Sequence, residues 1–474
     1  MLKIMKLGIY LVAAFLYLFS SAEMLPAAQT DSTKDDKVYR LDEIVVHGHP
    51  VRDEGLIVTP DVTVINVEKF IRPGRMENIT DLLGEVLGIT VLHSSVTPAQ
   101  NEGVFIRGMD QSRFQVFMDG RPIRLHGSHG YFKMDWTTMP LTIVETIEIV
   151  RGSHSLLFPY SQGGVVNIIT KKGIKTTELR PQGNARLGLG PYGDRNLSAS
   201  VEGGFLDTVG YALGAGQRKG DGFLRGNDYR TENIHARFSL FLPRGGMLTY
   251  GFDYVDTETG YAVINDPDDP ASDYDPKYPV VRAGEVDTFS HDFEGRAYPG
   301  GRNRWEREVT DHSLLLDQPL PVGTIRAQAY EQRSERYRYR TTPDGIQERN
   351  FKDEYTGGVA LSYRGFNLIP NHSISIGGDY RNQGTFDNKD YYRITSFFIR
   401  DVWSLTDSTV LTFGTRWYEF KSDSYKMLQP GQTRADMEPT TYTERVWAPK
   451  ARLDYEYDNT LSLYASISRE KRMP

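Results

Sequence analysis

Residues 461–468 read Leu461-Ser462-Leu463-Tyr464-Ala465-Ser466-Ile467-Ser468: every odd position is apolar, and three of the four even ones are serine. A period of two is the signature of a strand with unlike faces. The pattern recurs upstream. Ile234, Ala236, Phe238, Leu240 and Leu242 alternate with His235, Arg237 and Ser239. Leu248, Tyr250, Phe252 and Tyr254 alternate with Thr249, Gly251 and Asp253. Trp447, Ala451, Leu453, Tyr455 and Tyr457 alternate with Lys450, Arg452, Asp454 and Glu456. In a water-soluble sandwich the charged face lies outside. In an outer-membrane barrel the apolar face meets lipid and the polar face a wet lumen. Alternation by itself fits both.

The connections separate the two. By this pattern about thirteen strands follow residue 180. Tight turns fall at Gly204–Asp207, Pro243–Gly246, Pro319–Gly323, Leu368–Asn371, Thr406–Ser408 and Asp458–Asn459. Long links fall at Lys219–Tyr229, Thr257–Arg302, Arg340–Gln347 and Lys421–Thr441. Short turns on one side and long loops on the other are the layout of a transmembrane β-barrel, and a sandwich has no reason to keep that parity. The expected fold is mainly β, with an antiparallel barrel over 180–474.

Ahead of the barrel, residues 55–172 read as a small α/β domain. Strands are expected at Val62–Val67, Gly103–Arg107, Arg113–Met118, Val144–Val150 and Val165–Thr170. Ile79, Leu82, Leu83 and Val86 share one helical face. Gly88 is placed to end that helix in the left-handed conformation. Residues 1–22 form a signal peptide: Lys3 and Lys6, the apolar run Leu7–Phe19, then Ser20-Ser21-Ala22. Residues 23–54 form a polar tether interrupted by a short β-branched run, Asp42-Glu43-Ile44-Val45-Val46-His47-Gly48.

Composition narrows the function. Among 474 residues there is no cysteine, which excludes thiol nucleophiles and thiolate metal sites. A net charge of −7 argues against a nucleic-acid partner. Tyrosine, at 28 residues, suits membrane–water boundaries. No Ser/His/Asp order, HExxH or phosphate-cradling loop stands out, so no catalytic residue is assigned and no enzyme is expected.

Four motifs carry a resemblance. They are "GVFIRGMD" at Gly103–Asp110, "FMDGRPI" at Phe117–Ile123, "IVETIEIVRG" at Ile143–Gly152 and "GGVVNIITKK" at Gly163–Lys172. In this order and spacing the chain resembles the TonB-dependent outer-membrane receptors, from signal peptide through plug to barrel. The stretch between Gly152 and Gly163 looks one residue shorter than the family pattern. Family barrels resemble the plugged transporters of about 22 strands. The strands present here are therefore expected to be an incomplete barrel, and a truncated, non-functional remnant is one reading of the chain.

The resemblance implies active import across the outer membrane, most plausibly of a ferric siderophore, with cobalamin, haem or another metal chelate as alternatives. It implies a TonB–ExbB–ExbD energising complex as partner, lipopolysaccharide around a monomeric barrel, and no cofactor. Asp42, Glu43, Ile44, Val45, Val46 and His47 correspond to the TonB box, an extended segment able to add as a strand to a partner sheet. Arg107 and Arg151 are expected to latch the plug to barrel carboxylates. His126, His129, Tyr131 and Trp136 are expected to line an apical plug loop and touch the ligand. Asp266, Asp268, Asp269, Asp273 and Asp275, in the longest loop, are weak Ca²⁺ candidates without a fixed ligand spacing.

Overall fold

The computed structural model describes residues 51–53, 56–58, 62–70, 78–92, 103–111, 113–123, 134–150, 156–158, 164–179, 181–270, 272, 274–282, 285, 303–341, 347–385, 390–425, 439–457 and 461–469. The first part is a small sheet domain. Its elements are β1 (Val51–Asp53), β2 (Leu56–Val58), β3 (Val62–Asn66), α1 (Val67–Phe70), α2 (Ile79–Gly84), β4 (Ile89–Leu92), β5 (Gly103–Ile106), β6 (Gln115–Met118), β7 (Arg121–Pro122), β8 (Val144–Val150) and β9 (Val165–Thr170). Seven strands pair in the order β1-β2-β3-β8-β9-β6-β7, with β4 and β5 as a separate hairpin. Strands β6 and β9 run parallel; the other pairs are antiparallel.

The helix α2 starts at a capping box. Asn78 Oδ1 accepts from the Asp81 amide at 3.2 Å, and Asp81 Oδ2 accepts from the Asn78 amide at 2.8 Å. Ile79, Leu82, Leu83 and Val86 are buried, as their spacing predicts. The helix stops at Gly84, four residues before Gly88. Val86 is carried instead by a turn in which its amide bonds the Leu83 carbonyl. Gly88, at φ 83°, closes that turn and admits β4. The expected strand ending in Val67 breaks at Asn66, where α1 begins. The core joins α2 to the sheet through Ile65, Ile147, Ile149, Val166 and Ile168, and to the β4–β5 hairpin through Val104 and Ile106. Fully burying each such side chain contributes about 1.5–3 kcal/mol.

The second part is one antiparallel sheet of thirteen strands in unbroken sequence order. They are β10 (Gln182–Leu189), β11 (Arg195–Phe205), β12 (Val209–Gly220), β13 (Tyr229–Phe241), β14 (Met247–Gly260), β15 (Arg304–Pro319), β16 (Thr324–Thr341), β17 (Gln347–Phe366), β18 (His372–Thr385), β19 (Asp390–Thr406), β20 (Thr409–Tyr425), β21 (Pro439–Glu456) and β22 (Ser462–Ser468). Most exceed the roughly 9–11 residues that a tilted strand needs to cross a bilayer.

This sheet is inside-out by the standard of a soluble protein. On β13, Ile234 and Phe238 are about half exposed, while His235 and Arg237 between them are buried. On β18, Ile376 and Tyr380 face outward and Arg381 and Gln383 are buried. Apolar outside and polar inside is the pattern of a lipid-facing barrel wall, and it settles the choice that alternation left open. Among the described residues no helix is long and apolar enough to cross a membrane.

The small domain packs against the polar face of this wall. Its exit segment runs beside β11, where the Ile174 amide donates to the Gly203 carbonyl at 3.0 Å. A Cβ on Gly204 would collide with the Ile174 carbonyl, so glycine is required for that approach.

Candidate functional site: the plug–wall interface

The closest fastening begins with an Asp-Gly turn. Met118 pairs with Arg121 across β6 and β7, and Asp119 and Gly120 form the two-residue loop at φ 50° and 82°. Positive φ at both positions is what a tight hairpin of this twist demands, and Asp-Gly supplies it at least strain. The turn is held from its own domain. Asp119 Oδ1 accepts from the Thr170 amide at 3.0 Å, and Oδ2 from the Thr170 hydroxyl at 2.7 Å. Lys172 Nζ stands 3.6 Å from the same carboxylate and Arg237 Nε 3.8 Å. Burial works against the charged form of Asp119. The two cations and the Thr170 hydrogen bonds outweigh it and hold the carboxyl below the usual carboxylate range.

The turn presents Arg121 to the wall, 2% exposed. Its Nη1 donates to Asp311 Oδ2 on β15 at 2.5 Å, and its Nη2 to Asp253 Oδ2 on β14 at 3.3 Å. Asp253 is in turn gripped from β13. Arg237 donates to both of its oxygens at 2.9 and 3.0 Å, and His235 Nδ1 lies 2.7 Å from Oδ1. Arg237 Nε also reaches the Thr170 hydroxyl at 3.0 Å, so it too spans domain and wall. From β16, Arg326 and Gln328 donate to the Asp119 carbonyl at 2.8 and 3.1 Å. A Cβ on Gly120 would stand 2.8 Å from Arg326 Nη2.

Two further clasps flank this one. Arg416 on β20 donates to the Leu156 carbonyl at 3.1 and 3.0 Å while bonding Asp379 at 2.5 Å. Arg307 on β15 reaches Asp135 at 3.2 Å and lies 3.7 Å from Glu354. Chemically the interface is a set of desolvated, charge-assisted bonds. It fixes one body inside another.

The residues singled out from sequence fall differently. Arg107 is not in the fastening. It sits at φ 50° on an exposed turn after β5, its amide bonded to the Gly88 carbonyl, and it forms no ion pair among the described residues. The arginine that meets wall carboxylates is Arg121, fourteen positions on. Trp136 is corrected too. It is 1% exposed and belongs to the domain core, in a 3-10 turn Trp136–Thr138 capped by Asp135, so its ring faces inward and has no surface to offer a ligand. Trp136→Ala is therefore expected to destabilise the small domain by about 3–5 kcal/mol. Denaturant unfolding, alongside surface binding of ligand, separates this from a purely local binding defect.

In the longest loop the Asp266 carboxylate caps the Asp268 amide, that of Asp275 caps Lys277, and Arg282 lies within 4.0 Å of Asp266 and 3.7 Å of Asp268. These carboxylates, with Asp269, form no grouping able to hold a metal among the described residues. The segment Asp42–His47, with Arg151, His126, His129, Tyr131 and Asp273, lies outside the described residues.

Asp253, Arg237 and His235 are legible in the sequence only as members of a polar face. An Asp-Gly turn followed by Arg was the available signal for Arg121.

A small sheet domain fastened to the inner face of an inside-out antiparallel wall defines a plugged outer-membrane barrel. The TonB-dependent Receptor Plug Domain family matches residues 57–166, and the TonB dependent receptor-like β-barrel family matches residues 248–474. The chain belongs to the TonB-dependent receptors, a family of transporters and receptors. Solved structures share the fold at low identity. The ferric-catecholate import receptor Fiu from E. coli K12 aligns with TM-score 0.62 and 15% identity over 87% of this chain and 70% of that one. The ferric enterobactin receptor PfeA from Pseudomonas aeruginosa aligns with TM-score 0.63 and 16% identity over 88% and 62%. The copper transporter OprC aligns with TM-score 0.67 and 14% identity over 89% and 64%. The chain thus spans about two thirds of the length of these structures.

Proposed function

We propose that this protein imports a ferric siderophore across the outer membrane, drawing energy through TonB, ExbB and ExbD. The observation that carries the reading is the fastened plug. An open pore needs no energy source. A lumen occupied by a domain held through Arg121, Arg237, Arg307 and Arg416 passes a solute only when that domain is displaced or remodelled. Each buried pair costs several kcal/mol to break, which is beyond what a diffusing solute supplies at scarce concentration. The siderophore assignment draws on likeness to receptors for ferric catecholates and ferric enterobactin. A second reading, import of copper or another metal in a non-siderophore form, draws on the likeness to a copper transporter.

Uptake of labelled iron as a catecholate chelate, of copper, and of cobalamin by cells with and without this gene tests both. Iron uptake that depends on the gene and on TonB is the expected result. Gene-dependent copper or cobalamin uptake without iron uptake would replace the siderophore reading, and uptake independent of TonB would remove the energised one.

A further inference from the structure

Asp253 on β14 and Asp311 on β15 stand directly opposite each other in the strand register, both buried on the polar face of the wall. Like charges so placed repel, and a buried pair of carboxylates stays ionised only with cations at hand. The chief charges acting on Asp311 are Arg121, Asp253 and Arg237. From the plug, Arg121 spans both carboxylates, and Asp119 beside it has Lys172 at 3.6 Å. From β13, Arg237 gives two nitrogens to Asp253, and His235 Nδ1 lies against the same carboxylate. From β16 come Gln332, which donates to Asp311 Oδ2 at 3.4 Å, and the Tyr330 phenol, which also feels Arg381 and Asp379 on β18. On β15 itself Arg307, four residues away, is engaged with Asp135 and Glu354.

With the plug docked, two carboxylates face two guanidinium groups and the centre is balanced. Arg121 belongs to the plug and leaves with it. Asp253, Asp311 and Arg237 belong to the wall and stay. Arg237 is committed to Asp253, so the charge left over sits on Asp311, whose Oδ1 has no hydrogen-bond partner among the described residues. Water entering the lumen eases the loss, but Asp253 remains directly opposite, and a carboxylate facing another binds a proton more readily.

We propose that the Asp311–Asp253 pair is a proton-binding site of the transport cycle: release of the plug at Arg121 takes up one proton, held on Asp311, and docking expels it. The proton comes from solvent, and Arg121 keeps its own charge throughout. The released state holds one proton more than the docked state, so acid favours release and docking is firmest where Asp311 is ionised in both. This rests on the plug as the energised gate proposed above. The test reads plug opening alone, so its failure is distinct from failure of the uptake experiment.

The test uses the purified full chain in detergent. Hydrogen exchange of residues 115–122, corrected for the chemical exchange rate of each amide, reads the opening equilibrium from about pH 8 to about pH 5. In the wild type, opening should rise as pH falls, by about tenfold per unit where the slope is steepest. Asp311→Asn keeps the shape of the side chain and removes the proton site. It should open more than wild type at the alkaline end, lose most of the slope, and meet the wild type at the acid end. Asp311→Glu should retain the slope. His235 is the competing acceptor, since its Nε2 is buried without a hydrogen-bond partner among the described residues. His235→Gln should therefore keep the slope. A wild-type opening that does not change with pH, an undiminished slope in Asp311→Asn, or a slope lost only in His235→Gln would each overturn the proposal.

Discussion

Arg121→Ala is expected to undo the plug's central fastening and to cost about 3–5 kcal/mol of plug docking, the usual penalty for stranding one side of a buried pair. The two carboxylates are not equally exposed to the loss. Asp253 keeps both bonds from Arg237 and its contact with His235. Asp311, 1% exposed, keeps among the described residues a single long hydrogen bond, from Gln332 at 3.4 Å. Most of the penalty therefore falls on Asp311. The double variant Arg121→Met with Asp311→Leu should recover much of it by replacing the pair with apolar packing. Hydrogen exchange of β6 and β7 reads the effect directly. At about 1.4 kcal/mol per decade, the single variant should exchange about two to three and a half decades faster. Leakage of small antibiotics through the barrel should rise with it. Arg121→Lys should sit near the alanine variant, because an ammonium does not span Asp253 and Asp311 as a fork does. Unchanged exchange and leakage in Arg121→Ala would mean the fastening lies elsewhere.

How far the sequence anticipates this arrangement depends on the range of the interaction. Strands β8 and β9 fall where their β-branched runs place them, since a strand's apolar pattern is local. The thirteen-strand wall follows from alternation and turn parity for the same reason. The fastening is non-local. Arg121 and Asp311 are 190 positions apart, and nothing in either neighbourhood distinguishes Asp311 from other lumen-facing carboxylates. The resemblance pointed to Arg107, which sits at positive φ on an exposed turn and forms no ion pair among the described residues. Trp136 shows the same limit on a smaller scale. An aromatic beside a polar loop reads equally well as a contact surface or as part of the core, and here the ring is packed in the core, in a turn capped by Asp135.

Val45→Pro is expected to abolish uptake while leaving surface binding intact. Asp42–Val46 lies outside the described residues, so this rests on the chain's resemblance to its family and on strand chemistry. An extended peptide that joins a partner's sheet gains affinity from alternate backbone amides and carbonyls, with side chains supplying specificity. Proline removes one amide and places a ring where the neighbouring strand must approach. Val45→Ala keeps the amide and should retain most uptake, so the pair separates backbone pairing from side-chain recognition. Surface binding of ligand should be unaffected by either change. The pattern is the reverse of that for Arg121→Ala, where the barrel leaks and coupling to TonB is no longer needed for small solutes. Wild-type uptake by Val45→Pro would show that this segment does not join the partner as a strand. Equal loss in Val45→Ala would move the recognition from its backbone to its side chains.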